Sequence, residues 1–116
     1  MAESAGVLLW GIIAHLVADW PLQTEWMAVN KRDLHHIAAW VHSGIHGLLM
    51  ALIFPWQLAL LIGISHVLID TRRPVTWWMR NVKKMATTAP NAHTVEVWLD
   101  QVFHIIVLAV VVLLFY

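Results

Sequence analysis

The chain has 116 residues, 60% of them hydrophobic and only 12% charged, with seven Lys plus Arg balanced by seven Asp plus Glu. Soluble domains carry about 25% charged and about 45 to 50% apolar residues, so this composition excludes a disordered chain and argues against a globule that faces water on every side. Zero net charge leaves no basic field for nucleic acid, and the absence of cysteine removes disulfides, thiolate metal sites and a cysteine nucleophile.

The first apolar segment runs from about Ala5 to Trp20. Met1 to Ser4 bring no positive charge ahead of it, and it contains His15 and Asp19, so it reads as a retained span rather than a cleavable signal. Beyond Pro21 a kinked continuation along Leu22 to Val29 is expected. Asn30 to Asp33 form a polar break in which Asp33 suits the cap of the second segment, Leu34 to Phe54. Phe54-Pro55-Trp56 is a tight connection to the third, Trp56 to Asp70, which is short for a span. The one long loop follows, with Trp77, Trp78, Arg80, Lys83 and Lys84 in a mixture suited to a headgroup interface. Thr94 and Glu96 suit the start of the fourth segment, Val95 to Tyr116.

Segments near the ~17 to 25 residues of membrane helices, without strict alternation, imply an all-α integral membrane four-helix bundle. Residues 1–116 then form a single domain with four spans. Every Lys and Arg lies in the loop after the first or the third segment. The positive-inside rule puts both loops in the cytoplasm and both termini outside an inner (cytoplasmic) membrane.

Each segment carries two metal-competent residues one helical turn apart: His15 and Asp19, His42 and His46, His66 and Asp70, Asp100 and His104. Spacing of i, i+4 puts both members on one helix face. Counted from the outer helix ends, His15, His46, His66 and His104 fall at roughly 12 to 18 Å and their partners at roughly 18 to 24 Å. Two layers are expected, one of four histidines near mid-membrane and one of three aspartates with His42 nearer the cytoplasm. The His/Asp order reverses in the fourth segment, as convergence of antiparallel helices requires.

An isolated mid-membrane Asp costs about 2.5 to 3.5 kcal/mol, so three of them demand pairing, hydration or metal. A divalent transition metal such as zinc, iron or manganese satisfies carboxylates and imidazoles together, and eight donors suffice for one or two ions. The alternative is a metal-free polar network or proton relay. His35 and His36 are placed at the interface, outside this set.

The runs His15-Leu-Val-Ala-Asp19, His42 with His46, His66-Val-Leu-Ile-Asp70 and Asp100-Gln101-Val-Phe-His104, together with Gln23 and Lys31, resemble a family of small bacterial and phage membrane proteins grouped as a domain of unknown function. They are also distantly similar to membrane-bound metal-dependent hydrolases. His15-x-x-x-Asp19 and His66-x-x-x-Asp70 repeat ahead of Pro21 and Pro74, as two related hairpins would.

The leading expectation is a metal-dependent hydrolase of a lipid or prenyl phosphoester. His15, His66, His104 and Asp70 are the foremost ligands, and His46, Asp19, His42 and Asp100 complete one or two ions. Asp19 and Asp100 are assigned proton transfer, and Gln23, Lys31 and Gln101 the orientation of an anionic headgroup at the rim. The alternatives are binding or transport of a divalent cation or protons, for which a homo-oligomer would supply the room, and a structural metal that staples the bundle.

Overall fold

The computed structural model describes residues 2–116, so Met1 lies outside the described residues. The chain forms α1 (Ala2–Asp19), α2 (Glu25–Asn30), α3 (Ile37–Ala51), α4 (Trp56–Asp70), α5 (Arg73–Asn81) and α6 (Ala92–Phe115), with no strand among the described residues. The four long helices close a ring in which α1 and α4 each pack on α3 and α6, while α2 lies on α3 and α5 spans α4 and α6. Each half therefore runs long, short, long, and Asp19 and Asp70 are the last residues of α1 and α4.

Local chemistry moves several expected boundaries. The kinked continuation of the first helix does not form. Pro21 has no N–H to extend the ladder, and Thr24 starts a separate helix, its hydroxyl accepting the Met27 N–H at 3.3 Å. Asp33 does not cap α3, because its carboxylate accepts the His35 N–H at 2.9 Å in a turn. The cap is His36, whose Nδ1 accepts the Ala38 N–H at 3.0 Å, so α3 begins at Ile37 rather than Leu34. The long loop holds α5, with Pro74 in its first turn. Its Val75 and Met79 are buried with Ile69 and Ala92, which leaves Trp77 and Trp78 exposed. Helix α6 starts at Ala92, a turn before Val95, and Thr94 makes no cap.

Apolar packing occupies both ends of the ring. Met50, Phe54, Ala59, Ile62, Leu108, Val111 and Val112 fill the end that holds the α3–α4 turn. There Gly11 lets α1 approach, since a Cβ would sit 3.4 Å from the Phe54 ring. A Cβ on Gly63 would stand 3.8 Å from the Gly47 Cα, which marks a close crossing of α3 and α4. Both termini meet at this end, where the Ser4 hydroxyl approaches the Tyr116 carbonyl oxygen at 3.5 Å. All seven Lys and Arg belong to the connections and short helices of the other end.

Length revises the expectation of four spans. Among the described residues only α6, with 24 residues, is long and apolar enough to cross a membrane by length and composition. Helices α3 and α4 have 15 residues each, about 22 Å of rise against a hydrocarbon core of about 30 Å. Helix α1 reaches 18 residues but includes Glu3, His15 and Asp19. The distribution of side chains is inverted relative to a water-soluble bundle. Leu9, Trp10, Leu48, Leu60, Trp98 and Leu113 are exposed, whereas the middle of the interior is polar.

Candidate metal centre

His15, Asp19, His42, His46, His66, Asp70, Asp100 and His104 all point into the ring, none more than 4% exposed. The i, i+4 spacing turns both members of each pair to the same face, and that face is the inner one. Asp19 and Asp70 sit at helix C-termini, the end whose dipole repels anions. Their compensation must come from groups across the ring.

The histidine layer forms as the register requires. The His46 and His66 rings stack at 3.5 Å between centroids, with His66–His104 at 4.2 Å, His15–His104 at 4.9 Å and His15–His46 at 5.1 Å. The acid layer lies beside it. Asp19 Oδ1 is 3.1 Å from His42 Nε2 and 3.2 Å from His46 Nε2. Asp70 Oδ2 is 2.8 Å from His66 Nε2 and 3.3 Å from His42 Nε2, and its Oδ1 is 3.0 Å from His104 Nε2. His42 thus stands between the two carboxylates.

Charge separates Asp19 and Asp70 from Asp100. Asp100 Oδ1 lies 3.2 Å from Arg72 Nε. Asp19 and Asp70 have only imidazoles as ion-pair partners among the described residues. Two buried carboxylates without a permanent cation are costly, and one divalent ion matches their combined charge. His66 Nε2 and Asp70 Oδ2 face each other at 2.8 Å, yet neither has a hydrogen-bond partner. Such atoms need an explanation in a buried site, and both are of the type that ligates metal.

The donor atoms are close enough to hold an ion. Asp19, His42, His46 and His66 each offer one ligand atom with all four within 4.8 Å of one another, and His66, Asp70 and His104 form a second, overlapping group. Ligand bonds of about 2.0 to 2.1 Å in a tetrahedron imply neighbouring donors about 3.3 Å apart; Asp19 Oδ1 stands 3.1 and 3.2 Å from the Nε2 atoms of His42 and His46, a spacing that a direct hydrogen bond gives as well. The cavity bounded by His15, His46, His66 and His104 measures about 10 Å³, near the minimum for one water-sized occupant.

The three rim residues separate. Gln101 belongs to the cluster itself: its Nε2 donates to Asp19 Oδ2 at 2.6 Å and to Asp100 Oδ2 at 3.3 Å, and its Oε1 lies 2.9 Å from His15 Nε2. Gln23 and Lys31 pair with each other, the Lys31 ammonium donating to Gln23 Oε1 at 2.9 Å. Lys31 is buried. His35 stays outside the cluster, and His36 is spent on the α3 cap and an edge contact with Trp26.

Arg72 and Glu96 adjoin the cluster, and the motif reading missed them. Arg72 is buried and adopts φ 66°, ψ 0°, a left-handed conformation that costs a non-glycine residue about 1 to 3 kcal/mol. Its side chain reaches Asp100 and Glu96 on α6, with Nη1 donating to Glu96 Oε1 at 3.1 Å. One signal was present in the sequence: Glu96 precedes Asp100 by one helical turn and so shares its face.

Residues 7–116 match the family described as Protein of unknown function (DUF3307). No curated protein matches the chain, and no solved structure does.

Proposed function

The chain belongs to the DUF3307 family, and we propose from its own geometry that it is a membrane-embedded protein whose His/Asp core binds one divalent transition-metal ion for hydrolysis of a lipid or prenyl phosphoester. The observation that carries the metal is the convergence of imidazole Nε2 atoms on Asp19 and Asp70, carboxylates with no Lys or Arg ion-pair partner among the described residues, around His66 Nε2 and Asp70 Oδ2, which have no hydrogen-bond partner there either. Zinc, iron or manganese suits a donor set of nitrogen and oxygen. Charge balance favours a single ion.

The inverted surface supports the membrane. A soluble monomer rarely presents a continuous apolar exterior, and a polar interior inside an apolar shell is the arrangement lipid favours. The short α3 and α4 are accommodated by local bilayer thinning at modest cost. Exposed Trp77 and Trp78 on α5, next to Arg73 and Arg80, suit a headgroup interface. With all Lys and Arg at one end, that end faces the cytoplasm and both termini face outward.

A bound divalent ion supplies Lewis acidity and lowers the pKa of water. The Gln101 amide donates to both Asp19 and Asp100, and these two carboxylates would take the proton from the attacking water and return it to the leaving oxygen. The water oxygen bonds to phosphorus, the ester P–O bond breaks and the alcohol leaves with that proton. Lys31, at the loop end, is the nearest buried ammonium for the phosphate charge.

The test is elemental analysis of detergent-purified protein beside a His66→Ala, Asp70→Ala double variant, followed by phosphate release from lipid phosphoesters. Stoichiometric metal in the wild type and none in the variant is expected, whereas a folded, metal-free wild type sinks the reading. The small cavity favours a second reading, in which the ion is held without covalent chemistry. Metal-loaded protein that releases no phosphate from any lipid phosphoester would select it.

A further inference from the structure

Arg72 is the cation with the least conventional setting in the chain. Most of the other Lys and Arg residues are exposed, whereas Arg72 is buried on a left-handed backbone at the loop end of the metal centre. Its guanidinium is also poorly used. Nη1 donates to Glu96 Oε1 at 3.1 Å, but Nε, 3.2 Å from Asp100 Oδ1, has no hydrogen-bond partner, and neither does that oxygen. A guanidinium presents five N–H donors in a fork that fits a carboxylate or a phosphate through two parallel bonds. Here the fork meets its carboxylates one atom at a time.

Glu96 is equally informative. Its Oε1 is shared by two guanidiniums, Arg72 at 3.1 Å and the half-exposed Arg32 at 3.2 Å. Loss of Arg72 would therefore leave Glu96 with a cation. Lys31, the other buried cation, holds only the neutral Gln23 at 2.9 Å. Two buried cations thus stand above the acid layer with donors to give, and a carboxylate with a second partner occupies one of them.

We propose that Arg72 is an anion-binding residue for the phosphate group of the substrate, and that Glu96 occupies its guanidinium as an internal competitor until that phosphate arrives. The assignment rests on the hydrolase reading, since a phosphoester is the group that must approach this end of the site. The incoming dianion takes Nη1 from Glu96, engages the fork through both edges and receives a second charge from Lys31, while Glu96 retains Arg32. Arg72 combines a left-handed backbone with a side chain that reaches Glu96 and Asp100 on α6.

Titration calorimetry with inorganic phosphate on metal-loaded, detergent-purified protein tests this, with metal content measured in the same samples. Glu96→Gln removes the competitor's charge and should bind phosphate about tenfold tighter than the wild type, and Arg72→Gln about tenfold weaker. If Arg72→Gln fails to fold, Glu96→Gln decides alone. Unchanged or weaker phosphate binding in metal-loaded Glu96→Gln overturns the proposal and leaves the metal reading intact. A metal-free wild type whose phosphate affinity still follows Glu96 and Arg72 does the reverse. A parallel arm with short-chain phosphatidate distinguishes the source: tighter binding than phosphate identifies a lipid headgroup, and equal binding identifies free phosphate.

Discussion

Asp70 touches His42, His66 and His104 at 3.0 Å on average or slightly more, with contacts of 3.3, 2.8 and 3.0 Å from three helices. Asp70→Asn removes one of the two negative charges that match a divalent ion while preserving shape, so metal content should fall well below stoichiometric with the helix content retained in circular dichroism. His46→Ala should lower metal content too, whereas His93→Ala, on an exposed residue, should leave it unchanged. Chelation should lower thermal stability, because an ion present at a hundred times its Kd stabilises the folded state by about 2.7 kcal/mol. A thermal midpoint indifferent to chelator and to added metal would contradict that linkage. The eight ligand candidates were legible in the chain because i, i+4 spacing fixes which face two side chains share. Arg72 was not, because its partners Glu96 and Asp100 lie on α6, far along the chain, where no local spacing points to it.

Among the helices, the α3–α4 crossing sets the distance between His42 and His46 on one side and His66 on the other. Gly63→Ala adds a Cβ at an ordinary contact distance, 3.8 Å from the Gly47 Cα, so the crossing should be kept with little loss of stability. Metal content should then match the wild type. Gly44→Ala is the control: a Cβ there meets nothing within 4 Å, so both quantities should be preserved. Thr24→Ala should cost about 1 kcal/mol through loss of the α2 cap without altering the metal stoichiometry. Helix existence was readable from apolar runs, and Trp56 to Asp70 matches α4 at both ends. The starts of α2 and α3 were not, since a Thr24 hydroxyl and a His36 imidazole outcompete the longer periodic pattern.

For the molecule as a whole, lipid and water make opposite demands on this surface. The proposed orientation predicts that a Ser4→Cys variant reacts with an impermeant maleimide added outside intact cells, and that Asn81→Cys reacts only after lysis. The chain has no native cysteine to confuse the result. Labelling of both positions from outside, or recovery of the protein in the soluble fraction, would contradict it.

Composition and spacing alone determined the helical class, the polar face of each long helix and the two-layer register of histidines and acids, because these follow from local periodicity and rise per residue. Tertiary structure decided the rest. It drew Gln101 from the rim into the cluster as a donor to Asp19, set Asp100 apart by pairing it with Arg72, and gave Asp19 and Asp70 only imidazoles as ion-pair partners among the described residues. Among the described residues it also left only α6 with the length and composition to cross a membrane. Those outcomes depend on which helices become neighbours and how their ends turn, and such contacts join residues as far apart in the chain as Asp19 and Gln101.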